Sequence, residues 1–470
     1  MDTTPRDALV VTLERQRRSW LADPVPSAAA RRADLRSLQR FVVDNKADLC
    51  AAISKDYGNR SMHETQLLEI FPVVDGIDHA LKHLAQWMRP QRRGINRLVF
   101  LAARNRVIPQ PIGVVGVIVP WNFPLNLSLL PLTYIFAAGN RAMVKMSENS
   151  RHLSRLLIER LPTYLPRDKL SIFEETGGVG VEFSRLPFDH LMFTGSGLTG
   201  RAVMAAAAQN LCPVTLELGG KAPALVCDDF PIATVAERIL YVKFLNAGQI
   251  CTTVDHVWVP RAKVDTFVAH ARRMVPALYP SLATADYTSI IDQRAFTRLK
   301  AALEQAHAAG ATLLPLLPGP AWDEHTRKIN PHLVLDAPPD CDLSRHEIFG
   351  PILPIRSYDR LDQVVDAINA GPRPLAFYPF SHHPEVVDDL LRRVMSGGVS
   401  VNDALFHVGQ HELPFGGVGE SGMGHYHGRE GFETFSKMRP VFYQSRLNSL
   451  RFLRPPYGKF ADRVLKFLIK

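Results

Sequence analysis

Two hydrophobic patterns alternate along the middle of this chain. Short apolar runs at Val114–Val119, Ala142–Lys145, Lys169–Phe173 and His190–Phe193 read as buried strands. Leu127–Ala138, Leu153–Leu161, Gly200–Gln209 and Ile232–Leu245 read as helices. Strand–helix alternation at this spacing predicts a parallel sheet with helices on both faces. Arg97–Gln110 has strand character between helical regions and suggests an arm reaching out of the main body. The stretch Val107–Asn140 contains no charged residue, and about 20 apolar residues suffice to cross a bilayer. Pro109, Pro111, Pro120, Pro124 and Pro131 interrupt it, and Asn122, Asn126 and Ser128 add polarity, so a buried strand–loop–helix unit is expected instead. Near the end, Phe460, Val464, Phe467 and Leu468 fall at helical spacing. That piece is too short to span a membrane. It reads as a surface helix packed on its own protein, or as an interfacial membrane contact.

Composition changes this picture little. The 470 residues are 46% hydrophobic and 21% charged, which fits two or three globular domains and excludes a disordered, collagen-like or coiled-coil chain. The excess of 55 Lys+Arg over 46 Asp+Glu is scattered in pairs such as Arg31–Arg32, Arg92–Arg93 and Arg392–Arg393. Such pairs read as a solvated face, and no nucleic-acid partner is expected. Cys50, Cys212, Cys227, Cys251 and Cys341 are odd in number, widely spaced and without a C-x-x-C pair. A reducing, cytoplasmic setting suits them better than a disulfide framework or a zinc site. The start of the chain lacks the apolar core of a secretory signal.

Candidate chemistry begins at Gly195, Gly197 and Gly200, which match G-x-G-x-x-G between a strand and a helix. Such a turn lets a helix N-terminus approach a phosphate. Glu217 stands near the spacing of a ribose-binding acid, yet Leu216-Glu217-Leu218-Gly219-Gly220-Lys221 looks like a strand ending at an active-site turn. Cys251 follows the small and polar residues Asn246-Ala247-Gly248-Gln249, in a setting more loop than core. A reactive cysteine there needs a lowered pKa or a nearby base; the bland alternative is a small buried hydrophobe.

Five ordered motifs resemble the aldehyde dehydrogenase superfamily: Pro120-Trp121-Asn122-Phe123-Pro124, Phe193-Thr194-Gly195-Ser196, Glu217-Leu218-Gly219-Gly220-Lys221, Gly248-Gln249-Ile250-Cys251 and Glu347-Ile348-Phe349-Gly350-Pro351. The ending Leu413-Pro414-Phe415-Gly416-Gly417 through Tyr426-His427-Gly428 resembles its short class 3 branch. Within that branch, the Trp121–Glu148 region and Arg454-Pro455-Pro456-Tyr457-Gly458 are most similar to bacterial coniferyl aldehyde dehydrogenases.

The resemblance implies that Cys251 attacks an aldehyde carbonyl, that Asn122 and the Cys251 N–H hold the oxyanion, and that Glu217 activates water to hydrolyse the thioester. It implies a nicotinamide dinucleotide held by Lys145 and Glu148 at the adenosine ribose and by Gly195, Ser196 and Gly200 at the phosphates. Glu347 would then sit at the nicotinamide ribose, with Phe349 against the ring. A carboxylate at Glu148 implies NAD⁺ in preference to NADP⁺, with NADP⁺ possible. Met146 stands where the family usually has proline.

The implied α/β fold has two Rossmann-like parallel-sheet domains plus a bridging β arm. Residues 1–96 and 111–216 would bind cofactor, 217–414 would be catalytic, 97–110 and 434–444 would form the arm, and 445–470 a helical tail. The arm implies a homodimer. Asn402 resembles a position near the substrate, with backbone support of the catalytic loop an equal reading. His407, His411, His425 and His427 lack metal-site spacing, and no metal is expected. The expected substrate is an aromatic, coniferaldehyde-like aldehyde, with a fatty or medium-chain aldehyde as the alternative. An acyl-CoA-forming enzyme is a near rival, and a thiol esterase or a silent binding homologue are readings from another class.

Overall fold

The computed structural model describes residues 5–100, 102–446 and 453–469. Its first sheet has six strands in the order Gly422–Met423, Val214–Glu217, His190–Thr194, Val114–Ile118, Arg141–Lys145, Leu170–Phe173. All neighbours run parallel except Gly422–Met423, which pairs antiparallel with Val214–Glu217. Val114–Ile118 and His190–Thr194 are buried throughout, as strands covered on both faces must be. The second sheet has seven strands, in the order Thr312–Pro315, His332–Leu335, Ile352–Tyr358, His256–Pro260, Pro223–Val226, Ala376–Phe380, Gly398–Val399. Only its first pair is antiparallel. Two largely parallel sheets with an antiparallel arm give the α/β class that the alternating pattern predicts.

The uncharged stretch folds as strand, loop and helix. Its helix, Asn126–Ala138, buries every residue except Asn126 and runs through Pro131. That is why no charge is tolerated on any face. One supposed surface residue belongs to it. Arg31 is buried, and its guanidinium donates to the carbonyls of Ala137 at 3.0 Å and Ala138 at 2.8 Å. A cation at a helix C-terminus meets the carbonyls left without intrahelical partners, so the solvated-face reading of Arg31–Arg32 fails at Arg31. Gly139 turns the chain there with φ of 94°, and a Cβ on it would lie 2.8 Å from the Arg31 guanidinium carbon.

The arm is a three-stranded antiparallel sheet, Gln91–Arg93, Arg104–Pro111 and Ser436–Tyr443. Its middle strand begins at Arg104, seven residues later than the expected 97. The Asn96 side chain accepts from the Leu98 N–H at 3.1 Å, and the Asn96 carbonyl accepts from Phe100 at 2.9 Å. This local turn wins over the strand preference of Leu98, Val99 and Phe100. Leu101, also within 97–110, lies outside the described residues. In the tail, Lys459–Leu468 is helical, with Ala461 buried and Phe467 exposed; 447–452 and Lys470 lie outside the described residues. The expected change of domain at 216/217 falls inside the strand Val214–Glu217, and Gly422–Met423 rejoins the first sheet from beyond position 414. Among the described residues, no helix is long and apolar enough to cross a membrane.

Asn140 ties the arm to the body. Its Oδ1 accepts from Ile112 at 2.7 Å and Gly113 at 3.0 Å, and its Nδ2 donates to Phe435 O at 2.7 Å. Asn140→Ala leaves these buried groups unpaired and is expected to cost at least about 2 kcal/mol. The readouts are a lower unfolding midpoint and faster amide exchange across Ser436–Tyr443. An unchanged midpoint would mean that the buried amide contributes nothing net.

Candidate active site

Segments leading into the strands His256–Pro260 and Ile352–Tyr358 of the second sheet and the C-terminal strand ends of the first sheet face one cavity of about 400 Å³, where Asn122, Glu217, Cys251, Glu347 and Phe349 meet. Crevices at such strand ends are where open α/β sheets bind ligands.

Asn122 lies in the loop between Val114–Ile118 and Asn126–Ala138. The Glu69 carboxylate caps that helix, accepting from the N–H of Leu125 at 2.7 Å and Asn126 at 3.1 Å. Arg60 pairs with the other Glu69 oxygen, fully buried, and donates to Asn122 O at 3.2 Å. Tyr57 OH and Asn246 Nδ2 donate to the same carbonyl, at 2.9 and 3.3 Å. With its backbone held by three donors, Asn122 directs its side-chain Nδ2 to Gln249 O at 3.3 Å, two residues before Cys251.

The Cys251 loop follows the helix Ile232–Phe244 and carries three consecutive left-handed residues: Asn246 (φ 50°), Ala247 (φ 50°) and Gly248 (φ 73°). A Cβ on Gly248 would come within 2.3 Å of Gly350 O, so only glycine fits. Glu64 holds the loop's start, accepting from the Asn246 N–H and from Thr288 OH, both at 2.9 Å. Gln249 Nε2 donates to Asn246 O and Ser289 O, and its Oε1 accepts from Ile291 N.

Cys251 is half-buried, whereas the other four cysteines are buried, and all five are free. Burial first, then the Glu347 and Glu217 carboxylates, push its thiol up to about 12; the N–H groups of Cys251 and Thr252 oppose this. Glu217 ends its strand 3% exposed, and neither carboxyl oxygen has a hydrogen-bond partner. Burial alone raises its pKa well above the usual carboxylate range. Burial also lifts Glu347 to about 8, with Asp255 adding to the rise and the Gly220 N–H, Lys221 and Arg298 opposing it. The Glu347 carboxyl fills space that a Cβ on Gly219 would claim at 2.0 Å. Phe349 (φ 50°) presents its ring edge-on to Trp121, 5.4 Å between centroids.

Thr194, Gly195 and Ser196 line the same cavity, where Ser196 caps the helix Gly197–Ala208. A Cβ on Gly197 would meet only Arg201, at 3.7 Å, so the turn stays open. An exposed helix N-terminus with small residues, beside a positioned carboxyl and an aromatic ring, suits a nucleotide phosphate and ribose. Gly200 plays another part: a Cβ there would meet Leu218 at 2.7 Å, so it serves close helix–strand packing. Lys145 and Glu148 are not in the cavity wall. Lys145 donates to Glu175 at 3.0 Å, and Glu148, exposed, accepts from Ser147 at 3.2 Å. Asn402 supports backbone, accepting from Ser381 N at 2.8 Å.

Sequence reasoning passes over Tyr57, Arg60, Glu64, Glu69 and the Gln249 side chain, because a buried acid looks like a surface acid until its partner is known. It also passes over the apolar far wall, where Leu67, Phe71, Leu127, Tyr241 and Phe406 stand. Because the thiol holds its proton, alkylation of Cys251 by iodoacetamide should be slow at pH 7 and rise roughly tenfold per pH unit up to pH 9. A rate already flat above pH 7 would contradict the geometry.

The aldehyde dehydrogenase family matches residues 16–441. The chain is 46% identical over 452 residues to a protein of Pseudomonas aeruginosa named probable coniferyl aldehyde dehydrogenase, covering 96% of this chain and 94% of that one. It is 42% identical over 461 residues to the coniferyl aldehyde dehydrogenase of a Pseudomonas species, covering 97% and 95%. Among solved structures, the substrate-bound AldH of Staphylococcus aureus superposes with a TM-score of 0.92 at 31% identity, over 98% of this chain and 99% of that one. The NAD-dependent aldehyde dehydrogenase of Sinorhizobium meliloti gives 0.84 at 25%, over 97% and 89%. A family match of that extent, with relatives this similar over nearly their whole length, makes the chain a member of the aldehyde dehydrogenase family, an oxidoreductase of aldehydes that works with a nicotinamide cofactor.

Proposed function

We propose that this chain oxidises an aromatic, coniferaldehyde-like aldehyde to its carboxylic acid, with Cys251 as nucleophile, Asn122 as oxyanion donor and Glu217 as general base. The observation that carries the reading is the unpartnered, buried Glu217 carboxyl sharing one cavity with the half-buried Cys251 and the Asn122 amide.

The Cys251 sulfur forms a bond to the aldehyde carbon as the thiol gives up its proton to water and the carbonyl π pair moves onto oxygen. Asn122 Nδ2 and the Cys251 N–H then stabilise the oxyanion, a kind of contact worth about 3–4 kcal/mol per donor in a dry site. A nicotinamide held by Glu347 and Phe349 would supply the hydride acceptor for oxidation of the adduct to a thioester. Glu217 removes a proton from water, the water oxygen attacks the thioester carbonyl, and the carbon–sulfur bond breaks to release the acid. Its raised proton affinity makes Glu217 a stronger base than an exposed carboxylate, once ionised.

The relatives' names support the aromatic substrate, and the wall of Leu67, Phe71, Leu127 and Phe406 suits a flat apolar body. Lys145 and Glu148 would hold the adenosine ribose, Gly195 and Ser196 the phosphates, and Glu347 and Phe349 the nicotinamide riboside. NAD⁺ is the preferred form on this reading: Lys145 is already paired with Glu175, which leaves Glu148 to repel a 2′-phosphate. The edge strand Ser436–Tyr443, with Phe442 exposed, would pair subunits into a homodimer, and the free cysteines suit the cytoplasm. Light scattering showing only single chains at micromolar concentration would sink the dimer.

The test follows reduced cofactor with cinnamaldehyde-type and straight-chain aldehydes, NAD⁺ against NADP⁺, beside Cys251→Ala. We expect kcat/KM at least about tenfold higher for the aromatic series, higher with NAD⁺, and no turnover in the variant. Turnover surviving Cys251→Ala refutes the mechanism, and a lead for alkyl aldehydes refutes the substrate assignment.

A further inference from the structure

Away from the reacting groups, the helix Phe71–Trp87 carries Asp75, His79 and His83 at four-residue steps, which places them on one face. That face meets His411 and Glu412. His79 Nε2 lies 2.8 Å from Glu412 Oε1, His83 Nδ1 lies 3.4 Å from the same oxygen, and the two imidazole rings are 4.5 Å apart. One donor atom from each of His79, His83 and Glu412 falls within 4.8 Å of the other two, the one such trio found among the described residues.

The 2.8 and 3.4 Å separations from Glu412 bracket the spacing of a chelate. Zinc bonds of about 2.0–2.2 Å in tetrahedral array keep ligand atoms about 3.3 Å apart. The Glu412 side chain is 71% exposed and free to give a few tenths of an ångström, whereas His79 and His83, at 14% and 20%, are held by the helix. Two imidazoles one helical turn apart are pre-organised, and with a carboxylate they select a cation of the zinc class over magnesium or calcium. The exposed side leaves a position for water.

We propose that His79, His83 and Glu412 bind a divalent transition cation, which clamps the segment after Phe406–Gly409 to the helix Phe71–Trp87. The clamp bears on the cavity. His411, next to Glu412, lines it together with Phe406 and Val408. His411 is also held by Asp75 and Tyr134, each at 3.3 Å. The site stands apart from the reacting carbon and serves the shape of the apolar wall. Spacing among the histidines between 407 and 427 does not reveal it, because the imidazole pair comes from a helix far earlier in the chain.

The test uses the full, untagged chain carrying Cys251→Ala, so that the site thiol does not compete, titrated with zinc by calorimetry at neutral pH. Hydrogen exchange is followed with and without the metal. We expect one zinc per chain, a dissociation constant raised on the order of a hundredfold by His79→Ala or His83→Ala and about tenfold by Glu412→Gln, and slower exchange across 406–413 only when zinc is bound. Because Glu412 is exposed, Glu412→Gln keeps the fold and decides the matter if a histidine variant does not fold. Binding unaltered in all three variants, or no binding at millimolar zinc, overturns the site. Binding without slower exchange overturns the clamp.

Discussion

The site depends on a backbone that the chain would not adopt unaided. Asn246 and Ala247 hold positive φ without being glycine, at a cost of order 1–3 kcal/mol each. Glu64 and Gln249 offset that cost by engaging the loop's N–H and carbonyl groups from both sides. Tyr57 and Arg60 fix the neighbouring loop through Asn122 O. With both backbones held, the Asn122 amide and Cys251 are set before any substrate arrives. Such preorganisation is what lets hydrogen-bond donors act on developing charge without reorganising.

The second constraint is desolvation. Glu217 and Glu347 sit in the same cavity as Cys251, and burial raises the proton affinity of all three. Burial therefore favours the neutral form of each group, which limits repulsion among like charges in a medium of low dielectric. A thiol of raised proton affinity is slower to react with alkylating agents. The same dryness strengthens the Asn122 donor.

Much of this is legible in the sequence. The strands Val114–Ile118 and His190–Thr194 and the helix Asn126–Ala138 follow from apolar runs and periodicity alone. Cys251, Glu217, Asn122, Glu347 and Phe349 stand in ordered motifs, and the structure brings them to one cavity. Illegible are pairings across long separations. Arg31 reads as half of a surface pair until Ala137 and Ala138 stand over it, and Glu69 draws no notice until Arg60 and the Leu125 N–H meet it. Asn96 shows the opposite failure, a local side-chain turn defeating a strand-like run. Gly200 completes a phosphate-loop fingerprint, yet its close contact is with Leu218. Family membership settles the choice against the esterase and silent-homologue readings, which the residues taken singly leave open.

The central claim is that Cys251 carries the acyl group and Glu217 releases it. Its most direct test is intact-protein mass after rapid acid quench of Glu217→Gln mixed with NAD⁺ and cinnamaldehyde. The account predicts one molar burst of NADH, a mass increase of one acyl group on Cys251, and steady turnover slowed by about 10²–10⁴-fold. Unmodified protein with turnover undiminished would contradict it, because water would then be reaching the thioester without Glu217.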